Sequence, residues 1–430
     1  MKLATKLLSN YPAFDRKAEM LENLLADYPK RNFQVRFWGG FVWGTDPQPR
    51  FTLTLNNPCA LEAMYISPTE LSLGEAYVRG DFEIVGDIEA AFDLGEHLLR
   101  QEHAAGKRST LLKPLLRLAL HEKPPAPLSF PELSGQLHSR DRDRRAVTYH
   151  YDLPSDFYAL WLDSRMVYSC AYFHTPDEPL EAAQQNKLDH LCRKLRLRRG
   201  DRLLDIGCGW GSLVIHAAAT YGAQTLGITL SKPQAEWAQR QICALGLEDR
   251  CRVEVRDYRD LDSAQPFDKI VSVGMFEHVG ESKLPEYFHH AWELLRPGGV
   301  FLNHGIAYSA TYHRRGPSFI DRYVFPDGEL VPINVSLRAA EESGFEIRDV
   351  ESLREHYALT LHHWLSRLES RSEEARRVAG ETTYRIYRIY LAGSAYAFRR
   401  ARLNVYQALL AKPLHGESGL PLTREDWYRA

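Results

Sequence analysis

Long apolar runs are missing from this chain. Nowhere in its 430 residues is there a stretch near the ~20 apolar residues that cross a bilayer as a helix, so a membrane-spanning helical protein is excluded. The opening MKLATKLLSNYPAFDRKAEM interrupts its short apolar stretch at Lys6 and again at Asn10, Tyr11 and Pro12. No signal-peptide core is expected there. An excess of either charge is also absent: 54 Lys+Arg face 56 Asp+Glu, a formal net charge of −2. Nucleic acid is therefore not expected as a partner, and any contact with an anionic membrane must be local. The six cysteines, Cys59, Cys170, Cys192, Cys208, Cys243 and Cys251, contain no C-x-x-C pair and no disulfide-scaffold spacing. That suits a reducing compartment, and no metal site is expected. No internal repeat is present. What remains is 44% hydrophobic and 26% charged, an ordinary globular composition with length for two or three domains.

Three textures divide the chain. Residues 1–102 carry period-two segments, FQVRFWGGFVWG (33–44) and RFTLTLNNP (50–58), which predict strands in a hairpin or meander. ALEAMYI (60–66) and DIEAAFDLGEHLLR (87–100) predict helices, the second capped by Asp87. A small α+β domain follows from this. Residues 103–148 form a linker that is part helix and part extended. It holds the leucine-rich, basic KRSTLLKPLLRLALHEK (107–123), a proline-rich piece and the mixed-charge SRDRDRRA (139–146). The basic piece has two readings, an interfacial membrane helix and a helix packed between domains, interrupted in either case at Pro114. From 149 to 430 strand-like and helix-length segments alternate. DRLLDIGC (201–208), AQTLGITL (223–230), CRVEVRD (251–257), FDKIVSVG (267–274) and GGVFLNHGI (298–306) predict a doubly wound, largely parallel sheet with ligands at the strands' carboxyl ends. Beyond 350 the chain reads as mostly helical.

LLDIGCGWGS (203–212) is the most specific motif. Asp205 ends a strand, and Gly207, Gly209 and Gly211 alternate before a helix. Such glycines let backbone turn sharply and approach a ligand, and the helix start offers amide donors. The third glycine comes one residue too early for the G-x-G-x-x-G of dinucleotide folds. The loop instead resembles that of class I AdoMet-dependent methyltransferases. In GITLSKPQ (227–234) the usual acidic ribose partner is replaced by Thr229 and Leu230, so Thr229, Ser231 and Gln234 are the neutral candidates. In RDYRDL (256–261) Asp257 is placed for an adenine amino group and Tyr258 for its ring face; Tyr258 is otherwise a surface aromatic beside a turn.

Five blocks together carry a closer resemblance: YHYDLPSDFYALWLDSRMVYSCAYF (149–173), LLDIGCGWGS, GITLSKPQ, VSVGMFEHVG (271–280) and REHYALTLHHW (354–364). They resemble the cyclopropane-fatty-acyl-phospholipid synthases and their relatives, the mycolic acid cyclopropane synthases and methyltransferases. LSLGEAYVRGDFEIVGDIEAAF (71–92) is similar to the small lipid-binding, sterol-carrier-like domain of the phospholipid-acting members. The resemblance implies an α/β fold, a Rossmann-like class I methyltransferase with a mixed seven-stranded sheet. It implies transfer of a methylene group from AdoMet to a cis double bond of an unsaturated phospholipid acyl chain, through a carbocation deprotonated by bound bicarbonate. Positions matching the bicarbonate pocket are Cys170, Glu277, His304, Ile306 through its amide, and Tyr357; Tyr168 and Ser169 match AdoMet contacts. A cytoplasmic protein, peripheral on the inner membrane face, is implied. A homodimer is possible, since members are often dimers.

The residues themselves leave plainer readings open. A carbocation needs a dry cavity and a weak base, which a side chain or a bound anion can supply. Glu277 could instead orient the AdoMet amine or cap a helix, His304 could be a core histidine, and Cys170 a small buried filler. His278 reads as structural. Ser394 stands where many relatives carry a cysteine once considered a nucleophile, and the bicarbonate route needs none. Tyr384, Tyr387 and Tyr390 form a packed stripe, with phosphate contact by Arg385 and Arg388 as the alternative. The rival activities are a C-methyltransferase giving methyl-branched or methylene fatty acids, a small-molecule methyltransferase, and a non-catalytic lipid-binding protein.

Overall fold

The computed structural model describes residues 27–44, 46–65, 68–100, 133–151, 153–312 and 318–428, with residues 22, 25 and 128. The basic stretch 107–123 lies outside them. The chain divides into two compact units, one of Met1–Phe130, Arg315–Phe319 and Arg385–Ile389, the other of the remainder.

The first unit holds strands β1 (Phe33–Arg36), β2 (Val42–Trp43), β3 (Phe51–Leu55) and β4 (Phe82–Gly86), ordered β2-β1-β3-β4. Alternation buries Phe33, Val35, Phe51, Leu53 and Leu55 on one face, and the Phe33 and Phe51 rings stack at 5.0 Å. The expected hairpin exists between β1 and β2, but β3 runs parallel to β1, so the segment is no meander. The physical reason is β2's brevity. The chain leaves after Trp43 and returns through Pro47 and Pro49, so that β3 starts level with β1. Helices Cys59–Tyr65 and Ile88–Arg100 form where the pattern placed them, and Asp87 Oδ1 caps the second by accepting from Ala90 N at 3.0 Å. Helix Glu70–Arg79 and β4 arise from residues 70–86, for which periodicity made no assignment; Thr69 and Ser72 form a reciprocal capping box. Arg385 and Arg388 are spent within this unit. Arg385 donates to Tyr77 O (3.1 Å) and Glu83 Oε1 (2.7 Å), and Arg388 to the Tyr77 hydroxyl (2.8 Å). These bonds overturn the phosphate-contact alternative, because guanidinium groups buried on carboxylate and carbonyl partners present little free donor surface.

The second unit carries β5 (Arg202–Ile206), β6 (Gln224–Thr229), β7 (Cys251–Val255), β8 (Phe267–Val273), β9 (Leu295–Tyr308), β10 (Glu346–Ser352) and β11 (Leu403–Ala411), ordered β10-β11-β9-β8-β5-β6-β7. β5 to β9 are parallel and β11 is antiparallel to both its neighbours, the mixed seven-stranded sheet of class I methyltransferases. Beyond 350 the chain is mostly helical as expected, in Arg354–Ser370 and Ser372–Arg399, and β11 is the exception. Its Leu- and Ala-rich residues are good helix formers, but pairing on both edges between β9 and β10 overrides that propensity. SRDRDRRA proves to open a helix, Arg140–Tyr151. Strand order reverses between β5 and its neighbours β6 and β8, so the crevice for a ligand lies beyond the carboxyl end of β5.

Candidate active site

A cleft opens where the order reverses. Asp205 ends β5 and the glycine loop follows. Gly207 has φ 84°, and a Cβ there would lie 2.6 Å from Met275 Cβ, so only glycine fits. Gly211, at φ 81°, begins helix Ser212–Tyr221. Gly207 N and Cys208 N both donate to Ile228 O, at 3.0 and 2.9 Å, which ties the loop to β6. Asp205, Gly207, Gly209, Thr229, Gln234, Asp257, Tyr258, Tyr168 and Ser169 all line the cleft. Ser231 does not. It is fully buried, and its Oγ caps the helix Lys232–Ala244 by accepting from Gln234 N, so its expected place beside a ribose is replaced by a capping role. Thr229 Oγ1 donates to Gln234 Oε1 at 2.8 Å, which leaves the Gln234 amide nitrogen toward Gly209.

Electrostatics distinguish the two acids. Burial lifts Asp205 to about 7, opposed by the Lys187 charge, and its Oδ1 is buried with no partner. Burial also pushes Asp257 up, but the hydrogen bonds of Arg259 outweigh it and the carboxyl ends below its ordinary value. Asp257 Oδ1 accepts from Arg259 N (3.0 Å) and Nε (2.9 Å), and Oδ2 from Nη2 (2.7 Å). A carboxylate offers about four acceptor sites, so one on Oδ2 remains for an amino group. Arg259 also reaches Asp143 Oδ2 at 3.0 Å. A glycine loop with no room for Cβ, an orphaned buried carboxylate and a partly free acceptor suit the amino-acid and adenine ends of AdoMet.

A second group lies past β8, centred on Glu277, which does not line the cleft, and including Tyr151, which does. The turn Phe276–His278 places Glu277 so that Oε1 accepts from Ile306 N on β9 at 2.7 Å. Its Oε2 is buried without a partner, and burial lifts the carboxyl to about 7 against the pull of the Ile306 bond. The Glu277 charge acts on the hydroxyls of Tyr151, Tyr357 and Tyr390, each held high chiefly by burial. Tyr390 in turn meets the Tyr168 hydroxyl at 3.2 Å. Tyr357 also feels Cys170. That thiol is wholly buried, its Sγ donates to Ala171 O at 3.3 Å, and burial raises it far from thiolate formation. His304 lies two residues before Ile306 on β9. The charges acting on its ring are Lys187, Lys194, Glu351 and His190, burial draws it down to about 3, and its Nδ1 pairs with the Gln407 amide at 3.2 Å. His304 is thus a buried neutral imidazole engaged with Gln407, which β11 places directly opposite it.

Four further residues were not singled out. Lys187, Asp143 and Arg259 line the cleft, and Tyr151 joins Glu277. Tyr151 sat in a quoted block and Lys187 in none, and no spacing tied either to a site. Ser394 is buried within helix Ser372–Arg399.

Comparisons place this geometry among known proteins. A family profile described as mycolic acid cyclopropane synthetase matches residues 138–408, and one described as a domain of unknown function matches residues 20–100. A probable fatty acid methyltransferase of Pseudomonas putida is 44% identical over 92% of this chain and 96% of its own length. The solved cyclopropane synthase MmaA2 from Mycobacterium tuberculosis is 34% identical, with a TM-score of 0.60 over 64% of this chain and 99% of that one. The mycolic acid cyclopropane synthase CmaA1, solved with SAH and CTAB, is 36% identical, with a TM-score of 0.59 over 62% and 97%.

Proposed function

Because the chain belongs to the mycolic acid cyclopropane synthetase family and is an AdoMet-dependent methyltransferase, we propose that it converts a cis double bond in a phospholipid acyl chain to a cyclopropane ring. The observation that carries this reading is Glu277, a buried carboxyl with one oxygen on the Ile306 amide, the other unpartnered, and phenol hydroxyls around it. The phospholipid is favoured by residues 1–102. The solved mycolic enzyme MmaA2 matches only 64% of this chain while being 99% covered itself, so this chain has room for a lipid-handling domain.

AdoMet, when bound, supplies an electrophilic sulfonium methyl to one alkene carbon. Asp205, Gln234, Asp257 and the glycine loop would hold it, with Tyr168 and Ser169 at its methionine end. The other alkene carbon becomes a cation, and loss of a proton from the new methyl closes the ring. Burial of Tyr151, Tyr357 and Tyr390 keeps water from trapping that cation as an alcohol. The groups present fit a bicarbonate ion as base. Glu277, protonated in part near pH 7, and Tyr357 offer donors, and the Ile306 amide becomes a third when Glu277 swings aside. Cys170 is too far from ionisation to act as base or nucleophile.

A second reading, a fatty acid methyltransferase with a branched product, is favoured by the name of the Pseudomonas putida relative. It differs only in which carbon loses the proton. Purified protein with cis-monounsaturated phospholipid vesicles and methyl-deuterated AdoMet separates them by mass spectrometry and proton NMR. Deuterated carbon gain with cyclopropyl signals and no alkene supports the synthase, and the same gain with an alkene retained moves the answer to the second reading. Co-sedimentation with those vesicles tests peripheral binding at the cytoplasmic membrane face.

A further inference from the structure

Lys187 is a buried cation with too few partners. It lines the cleft and is 2% exposed, and its Nζ donates to Ser169 Oγ at 2.9 Å. Among the described residues this is its one recorded hydrogen bond, for an ammonium with three donors. Asp163 and Asp205 act on its charge, yet neither closes on it as an ion pair. Asp163 is engaged with the amides of Arg165 and Val167, and Asp205 Oδ1 is left without a partner. A buried cation and a buried anion thus line one cleft without meeting.

The Lys187 bond also orients Ser169. Nζ can only donate, so Ser169 Oγ accepts from it and the serine's own hydrogen must point elsewhere. Gln184, one turn earlier on helix Leu180–Lys194, fixes the backbone by donating to Ser169 O at 3.0 Å. The hydroxyl hydrogen is then available to a ligand in the cleft.

We infer that Lys187 is the positioning residue for the amino-acid end of AdoMet: acting through Ser169 it presents a donor to the ligand's carboxylate and sets a positive charge behind it, while Asp205 receives the ligand's ammonium. The inference rests on the AdoMet reading of the cleft. Burial draws Lys187 down to about 8, the behaviour of a cation that lacks a close counter-charge; a bound carboxylate supplies one.

Calorimetric binding of AdoMet and of decarboxylated AdoMet to the full chain tests this. The wild type should prefer AdoMet by about tenfold or more, the scale of a charged hydrogen bond. Lys187→Met should weaken AdoMet about tenfold and the decarboxylated ligand less than about threefold, and Ser169→Ala should shift the same way. Equal weakening of both ligands would mean that Lys187 only packs, and the inference falls. Should Lys187→Met fail to fold, the wild-type ratio and Ser169→Ala decide, since equal affinity for the two ligands overturns the proposal. A wild type that binds neither ligand removes the AdoMet reading itself.

Discussion

The cleft beyond the carboxyl ends of β5 to β7 and the recess around Glu277 lie at the same end of one sheet, and they differ in how far their polar groups are paired with one another. In the cleft, several polar groups engage one another in fixed pairs, Asp257 with Arg259, Thr229 with Gln234, Ser169 with Lys187, while Asp205 keeps one buried oxygen unpartnered. In the recess burial pushes the ionisable groups toward their neutral forms. Glu277 is lifted to about 7, Tyr390 to about 12, and the Cys170 thiol higher still, each chiefly by burial. The first arrangement suits a charged ligand that needs preset donors and acceptors. The second suits a reaction whose intermediate must not meet water. A shared scaffold therefore does not imply a shared electrostatic rule.

That contrast can be broken most directly at Glu277. Glu277→Gln is expected to lower turnover by about 10²- to 10⁴-fold, the range for a lost acid–base group, with AdoMet affinity by calorimetry changed less than about threefold. Wild-type turnover in this variant would remove Glu277 from the chemistry. Asp257→Asn should do the reverse. It disturbs the Arg259 pair and should weaken AdoMet about tenfold, while turnover at saturating AdoMet stays near wild type; a kcat loss with unchanged affinity would place Asp257 wrongly.

A smaller effect sharpens the comparison through pH. The Glu277 carboxyl titrates near 7 in the folded protein and near 4.5 when unfolded, so the native state holds the proton more tightly between those values. The stability it contributes is complete below about pH 4.5 and is lost as pH rises through about 7. Thermal melts should then show Glu277→Gln gaining on the wild type by a few degrees between pH 4.5 and 8. A gap that does not change with pH would deny that the carboxyl is desolvated. The smallest effect is expected at Ser394, which lies buried in its helix: Ser394→Ala should keep turnover within about twofold, and a large loss would reopen a role for that position.

Legibility differed between these regions for physical reasons. The cleft could be read because it rests on local chain: a strand, a glycine loop and a helix start are contiguous, and Asp257 ends another strand, so the residues lie where periodicity puts them. Only Ser231 was misplaced, since a helix cap and a ribose contact call for the same residue type. The recess draws on residues far apart in the chain. Tyr151, Tyr357 and Tyr390, whose hydroxyls feel the Glu277 charge, come from three separate helices, and the His304 ring is engaged by Gln407 on β11. β11 itself was hidden by a composition suited to helix.

The amino-acid sequence by itself determined the parallel core of the sheet, the glycine loop, and, through five blocks, the family. Those features follow from interactions between near neighbours and from backbone geometry that only glycine allows. Tertiary structure alone decided the parallel pairing of β1 with β3, the reversed β11, the pairing of His304 with Gln407 and the meeting of Lys187 with Ser169. Each depends on which distant segments share a buried environment, and burial is what sets whether a carboxyl, an imidazole or an ammonium keeps its charge.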